Sequence, residues 1–198
     1  MNVYHLVGPA PYSTNCFLAV TEAGSGVLVD PTASVQELEQ LLKEKNAKLT
    51  HILLTHGHFD HVTHVVELAQ RWGCKVYMDV QDAQGSELMP LLPAQITDGY
   101  QDGAGIAVDE VEFVTWHTPG HTAGSWVIYS QGLLFTGDTL FAGSVGRTDL
   151  GGDPMEQRRT LQKLQNLPLV GDTKVLPGHG VFTTLQQEFE TNPFFVKY

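Results

Sequence analysis

The stretch Thr55-His56-Gly57-His58-Phe59-Asp60-His61 decides how this chain is read. It places four candidate metal ligands, His56, His58, Asp60 and His61, where the apolar run HILLT (51–55) gives way to a helical pattern. Divalent transition metals favour imidazole and carboxylate, and a turn between strand and helix lets alternate side chains converge on one point. Three more candidates each follow a β-rich run: His121 in TPGHT after VEFVTW (111–116), Asp138 in GDTLF after LLFT (133–136), and His179 in PGHG after KVL (174–176). Strand ends are where polar side chains of a layered fold meet at one cleft, and neighbouring glycines let the backbone turn sharply and keep bulk away. One such histidine alone would more often be a surface or satisfied core residue. Seven candidates at successive strand ends point to a metal centre.

The runs around these motifs are short and bounded by Gly, Pro, Asp or Asn: CFLAV (16–20), GVLVD (26–30), KVYM (75–78), WVIYS (126–130) and KVLP (174–177) join those above. Most are apolar at consecutive positions, as expected of strands covered on both faces. Three helices are predicted between them. The first starts at Ser34, where Ser34 and Glu37 form a capping box ahead of Leu38, Leu41 and Leu42. The second runs from about His61 to Trp72, with Val62, Val65, Val66 and Ala69 inward and Gly73 as its stop. The third has Asp153 as N-cap and Pro154 at its first position, with Leu161 and Leu164 inward. Strands interspersed with covering helices give an α/β layered sandwich, expected to be a single domain over residues 1–198. Residues 79–105 read as irregular surface loops, and the roughly twenty residues after the last strand are too few for a further helical domain.

Composition narrows the function classes. Of the 198 residues, 42% are hydrophobic and 17% charged, as in ordinary globular proteins, and the net charge is -11. That charge repels phosphodiester backbones and anionic lipid, so neither nucleic acid nor a membrane is an expected partner. The N-terminus has no basic region leading into a long apolar stretch, which leads us to expect a cytoplasmic protein. Cys16 and Cys74 each sit in an apolar run and read as buried free thiols rather than a disulfide.

In their order along the chain, THGHFDH, TPGHT, GDTLF and PGHG resemble the successive ligand motifs of the metallo-β-lactamase superfamily. The resemblance implies an αββα four-layer sandwich and two divalent metal ions. One would be held by His56, His58 and His121, the other by Asp60, His61 and His179, with Asp138 bridging. Zinc leads the expectation, with iron or manganese as alternatives. His5, His51, His64 and His117 lie outside the motifs, and among these His117 is the candidate for supporting a ligand from behind.

The segment GDTLFAGSVGRTDLGGD (137–153) resembles the hydroxyacylglutathione hydrolases, or glyoxalase II enzymes, in their short form. This implies hydrolysis of a small-molecule thioester such as S-D-lactoylglutathione by a metal-bridging hydroxide, with Asp60 and Asp138 as the catalytic carboxylates. Arg147 lies near where the long-form enzymes carry a Lys for a glutathione carboxylate, so it is the substrate-binding candidate. Its alternative role is to fix the loop through Asp149 or Asp153. Persulfide dioxygenases are also similar in these motifs, and that reading implies one iron on His56, His121 and Asp138. A lactonase or lactamase is a further alternative.

Overall fold

Because successive strand residues point to opposite faces, an apolar run is buried throughout only if both of its faces are covered. The computed structural model, described here for residues 1–195, meets that condition with two sheets packed face to face. The first has strands β1 (Asn2–Val7), β2 (Asn15–Val20), β3 (Ser25–Val29), β4 (Lys48–Leu53) and β5 (Lys75–Tyr77) in that spatial order. The second contains β6 (Gly105–Val108), β7 (Val111–His117), β8 (Trp126–Ser130), β9 (Leu133–Gly137), β10 (Lys174–Pro177) and β11 (Thr183–Thr184), again neighbours in sequence order.

Alternate residues divide between the layers. Leu18, Leu28 and Ile52 face outward onto α1 (Val35–Glu44) and α2 (Val65–Trp72), where Leu38, Leu42 and Leu68 meet them. Phe17, Val27, Val29 and Leu53 face inward against Phe113, Ile128, Phe135 and Leu176 of the second sheet. On the far side, Val127, Leu134 and Val175 pack under Leu161 and Leu164 of α3 (Pro154–Gln165) and Leu185 of α4 (Leu185–Thr191). The order is helix, sheet, sheet, helix: the α/β αββα sandwich. Among the described residues no helix is long and apolar enough to cross a membrane. Cys16 and Cys74 are both free and buried.

Helix caps follow the local sequence. Ser34 and Glu37 form the reciprocal capping box, Asp153 accepts from the backbone N–H groups of Met155 and Glu156, and Gly73 ends α2 in the left-handed region at φ 62°. The start of α2 needs correction, however: it opens at Val65, four residues after His61. Residues 61–64 form tight turns instead, with the His61 N–H bonded to the His58 carbonyl and that of Val65 to Val62. The stretch 79–105 holds two short 3-10 turns, Val80–Asp82 and Pro93–Gln95. Strands β1, β6 and β11 and helix α4 add to the elements expected from sequence.

Strand direction gathers the motifs at one end. β3 and β4 are parallel, with Val29 opposite Leu53, so Asp30 and Thr55 emerge together. β9 and β10 are parallel, with Gly137 opposite Pro177, so Asp138 and His179 emerge together. β7 and β9 are both antiparallel to β8, which brings the His121 loop to the same rim.

Candidate metal centre

All seven sequence-predicted ligands meet at this rim. His56, His58 and His121 form one group, Asp60, His61 and His179 a second, and His56, His61 and Asp138 lie between them, the ligand atoms of each group within 4.8 Å of one another. The Asp138 carboxylate faces both outer groups: Oδ1 is 3.3 Å from His61 Nε2, and Oδ2 is 3.5 Å from both His121 Nε2 and His179 Nε2. Asp60 Oδ2 is 3.4 Å from His179 Nε2.

The outer nitrogens of four rings are committed to oxygen acceptors, so that in the neutral ring the inner nitrogen is the lone pair. His61 Nδ1 donates to Asp30 Oδ2 at 2.8 Å, and His121 Nδ1 to the Arg147 carbonyl at 2.6 Å. His179 Nδ1 donates to the Tyr12 carbonyl at 3.1 Å. Thr55 Oγ1 donates to Asp30 Oδ2 at 2.6 Å and lies 3.1 Å from His56 Nδ1, whose N–H it accepts. His58 has the opposite orientation and brings Nδ1 to within 2.9 Å of His121 Nε2.

These contacts test whether the site fits a cation. His56 Nε2 and Asp138 Oδ1 are buried without a hydrogen-bond partner, and buried polar atoms are rarely left so. Imidazole nitrogens and carboxylate oxygens facing one another at such distances match the ligand preferences of divalent transition metals. The donor set fits.

Electrostatics separate the two groups. Burial and the surrounding imidazoles push His56 well below its ordinary pKa and His58 down to about 4, so both are neutral at physiological pH. Burial would lower His61 too, but the Asp138 and Asp30 carboxylates prevail and hold it well above the ordinary value. Burial opposes ionisation of Asp60, yet hydrogen bonding from His179, the charge of His61 and the Thr14 hydroxyl bring it down to about 2.

Sequence reasoning missed the supporting acids. Asp30, at the end of the GVLVD run, fixes Thr55 and His61, and its signal was a lone acid closing an apolar strand. Asp82 gave no signal beyond being an acid in a polar stretch. His117 supports none of the ligands through its ring, since its Nε2 bonds the Ala123 carbonyl. Arg147 contributes its carbonyl to the site, while its guanidinium is 64% exposed and bonded through two nitrogens to Asp149. Asp153 caps α3. Tyr12 packs edge-on against Phe59 at 5.0 Å, and Phe141 lies 6.1 Å from His179, so aromatic rings border the second group.

The chain is similar to known proteins over most of its length. Residues 9–179 match the metallo-beta-lactamase superfamily. The chain is 30% identical to hydroxyacylglutathione hydrolase GloC of Haemophilus influenzae, with 98% of each covered. It superposes on the BLEG-1 B3 metallo-beta-lactamase with a TM-score of 0.86 and 29% identity, covering 99% of this chain and 100% of the other. On TTHA1623 in a di-iron-bound form the TM-score is 0.82 at 34% identity, covering 96% and 99%.

Proposed function

The chain belongs to the metallo-beta-lactamase superfamily, and from that premise we propose that this metal-dependent hydrolase cleaves a thioester such as S-D-lactoylglutathione. The observation that carries a hydrolytic reading is the meeting of seven candidate ligand side chains around His56 Nε2 and Asp138 Oδ1, buried atoms without a hydrogen-bond partner. No thiol competes as nucleophile, since burial pushes both Cys16 and Cys74 up to about 11. Thioester specificity draws its support from the likeness to GloC across nearly the whole of both chains.

In this reading His56, His58 and His121 would hold one divalent ion and Asp60, His61 and His179 the other, with Asp138 available to both and zinc the expected metal. Divalent ions held there would supply a water acidic enough to be a nucleophile near neutral pH and polarisation of the scissile carbonyl. The protein's own part is to keep the donors in register. Asp30 and the Arg147 and Tyr12 carbonyls hold the rings in the tautomer that points a lone pair inward. Asp60, with a pKa of about 2, stays a carboxylate and orients a water proton as acceptor. The thiolate leaving group is weakly basic, so no strong acid is needed to release it. Tyr12, Phe59 and Phe141 offer the acyl group an aromatic border, and the exposed Arg147 guanidinium is the candidate for a carboxylate on the thiol side, which would compete with Asp149 for it.

A small-molecule substrate and a cytoplasmic setting complete the proposal, in keeping with a net charge of -11 and two free thiols. The deciding experiment assays purified protein of known metal content for loss of S-D-lactoylglutathione, for hydrolysis of a β-lactam, and for oxygen uptake with glutathione persulfide. Thioester loss at about two metals per chain is expected. Oxygen uptake with about one iron and an intact thioester would transfer the chain to the dioxygenase reading, and β-lactam turnover alone would make it a lactamase.

A further inference from the structure

We propose that Asp82 is the positioning residue of the first metal site, its carboxylate setting the His56–His58 turn against the His121 loop and thereby the site's affinity for a divalent cation. The inference rests on reading His56, His58 and His121 as ligands.

Asp82 closes the 3-10 turn Val80–Asp82, in a stretch whose composition suggests surface loop, yet it is fully buried. Its Oδ2 accepts from the Gly57 backbone N–H at 2.9 Å and from Thr122 Oγ1 at 2.7 Å, and its Oδ1 accepts from the Gly124 N–H at 2.9 Å. Gly57 lies between two of the ligands and Thr122 directly follows the third. One carboxylate thus joins two ligand loops that share no sequence neighbourhood, through hydrogen bonds of the stronger, charge-assisted kind.

The surroundings are built for that carboxylate. Thr122 N–H donates to Ser125 Oγ at 3.1 Å, and the two hydroxyls lie 2.7 Å apart, so Ser125 supplies the proton between them and that of Thr122 goes to Asp82. A Cβ on Gly57 would lie 2.5 Å from the Asp82 carbonyl oxygen, and one on Gly124 would lie 2.6 Å from the Asp82 carboxyl carbon. Both loops therefore pack directly on Asp82. Trp126 Nε1 donates to Asp79 Oδ2 at 3.0 Å and ties down the other end of the turn. The spacing so controlled is that of His58 Nδ1 and His121 Nε2, 2.9 Å apart.

The Asp82 carboxylate bonds Gly57, Thr122 and Gly124 rather than a ligand side chain, so its effect is transmitted through the two loops that carry the first site. The second group takes its support elsewhere, from Asp30, Thr14 and the Tyr12 carbonyl. A residue serving only general stability would weaken both sites alike.

The test is a Zn2+ titration of metal-free protein against a chromophoric chelator. The second site is disabled by His179→Ala to read the first, and the first by His58→Ala to read the second. Asp82→Asn keeps the volume but turns an amide N–H toward the Gly124 N–H, and Thr122→Val removes the bond to Asp82, together with the acceptor of the Ser125 hydroxyl, with little change of shape. Both are expected to weaken the first site, Asp82→Asn by on the order of 10–100-fold and Thr122→Val by less, and to leave the second site within about twofold. Should Asp82→Asn fail to fold, Thr122→Val decides alone. An unchanged first-site affinity in folded protein, or equal loss at both sites, overturns the proposal. If the unsubstituted chain takes up no zinc, the ligand reading itself fails and the proposal falls with it.

Discussion

Gly178→Ala tests the packing of the centre without removing a ligand. Gly178 lies between β10 and His179 and is not among the residues of positive φ, so alanine meets no backbone strain there. Its methyl, however, would overlap Asp138 Oδ1 and stand 2.5 Å from His61 Cε1, whereas ordinary contact begins at 3.4 Å. Both must retreat, His61 by roughly 0.9 Å and Asp138 by more, or the backbone must shift. Neither has free space: His61 is fully buried and tied to Asp30 at 2.8 Å, and Asp138 is hemmed in by three imidazoles. A misplacement of about 1 Å costs on the order of 100-fold in rate, or about 2.7 kcal/mol on the barrier. Overpacking should also destabilise the fold by about 1–3 kcal/mol. The assay is kcat/KM for thioester hydrolysis, with metal content and thermal unfolding measured on the same preparation. A folded Gly178→Ala protein with two metals and activity within about threefold of the unsubstituted chain would refute the claim that these contacts fix the reacting geometry.

His56→Ala and Asp138→Ala should each abolish turnover with little change in far-ultraviolet circular dichroism, and wild-type rates in either would remove the centre from the mechanism. Metal affinity should respond to pH differently at the two sites. His56 and His58 are already neutral, His58 at about 4, so neither has a proton to displace near neutrality, whereas His61 and His179, held up by carboxylates, must give up protons. Raising the pH from 6 to 8 should therefore tighten the second site by up to about 10-fold per unit for each proton released, more steeply than the first, which chelator competition would detect; equal slopes would contradict the assignment. Phe135→Ala empties a fully buried position between the sheets, where the ring packs against Phe17 at 5.3 Å. It should cost about 3–5 kcal/mol, read as a fall in thermal midpoint of roughly 6–20 °C.

Much of the centre was legible because its chemistry is carried by side chains in short motifs. Seven His and Asp at successive strand ends could be named from sequence, and consecutive apolar residues in runs such as CFLAV required cover on both faces, hence two packed sheets between helices. The start of α2 was not legible. The apolar period continues back through Val62, but the His61 ring is drawn to Asp30, and the turns that place it delay the helix to Val65. Nor could the sequence show that Asp82 lies behind the first site, or that His121 and His179 lean on the backbone carbonyls of Arg147 and Tyr12. A carbonyl is common to every residue, so its use as an acceptor leaves no mark in composition or spacing. Residue chemistry and local period fixed the candidate ligands and the layers. Which atoms hold those ligands was decided by the register of β3 on β4 and of β9 on β10, long-range pairings that exist only once the sheets have formed.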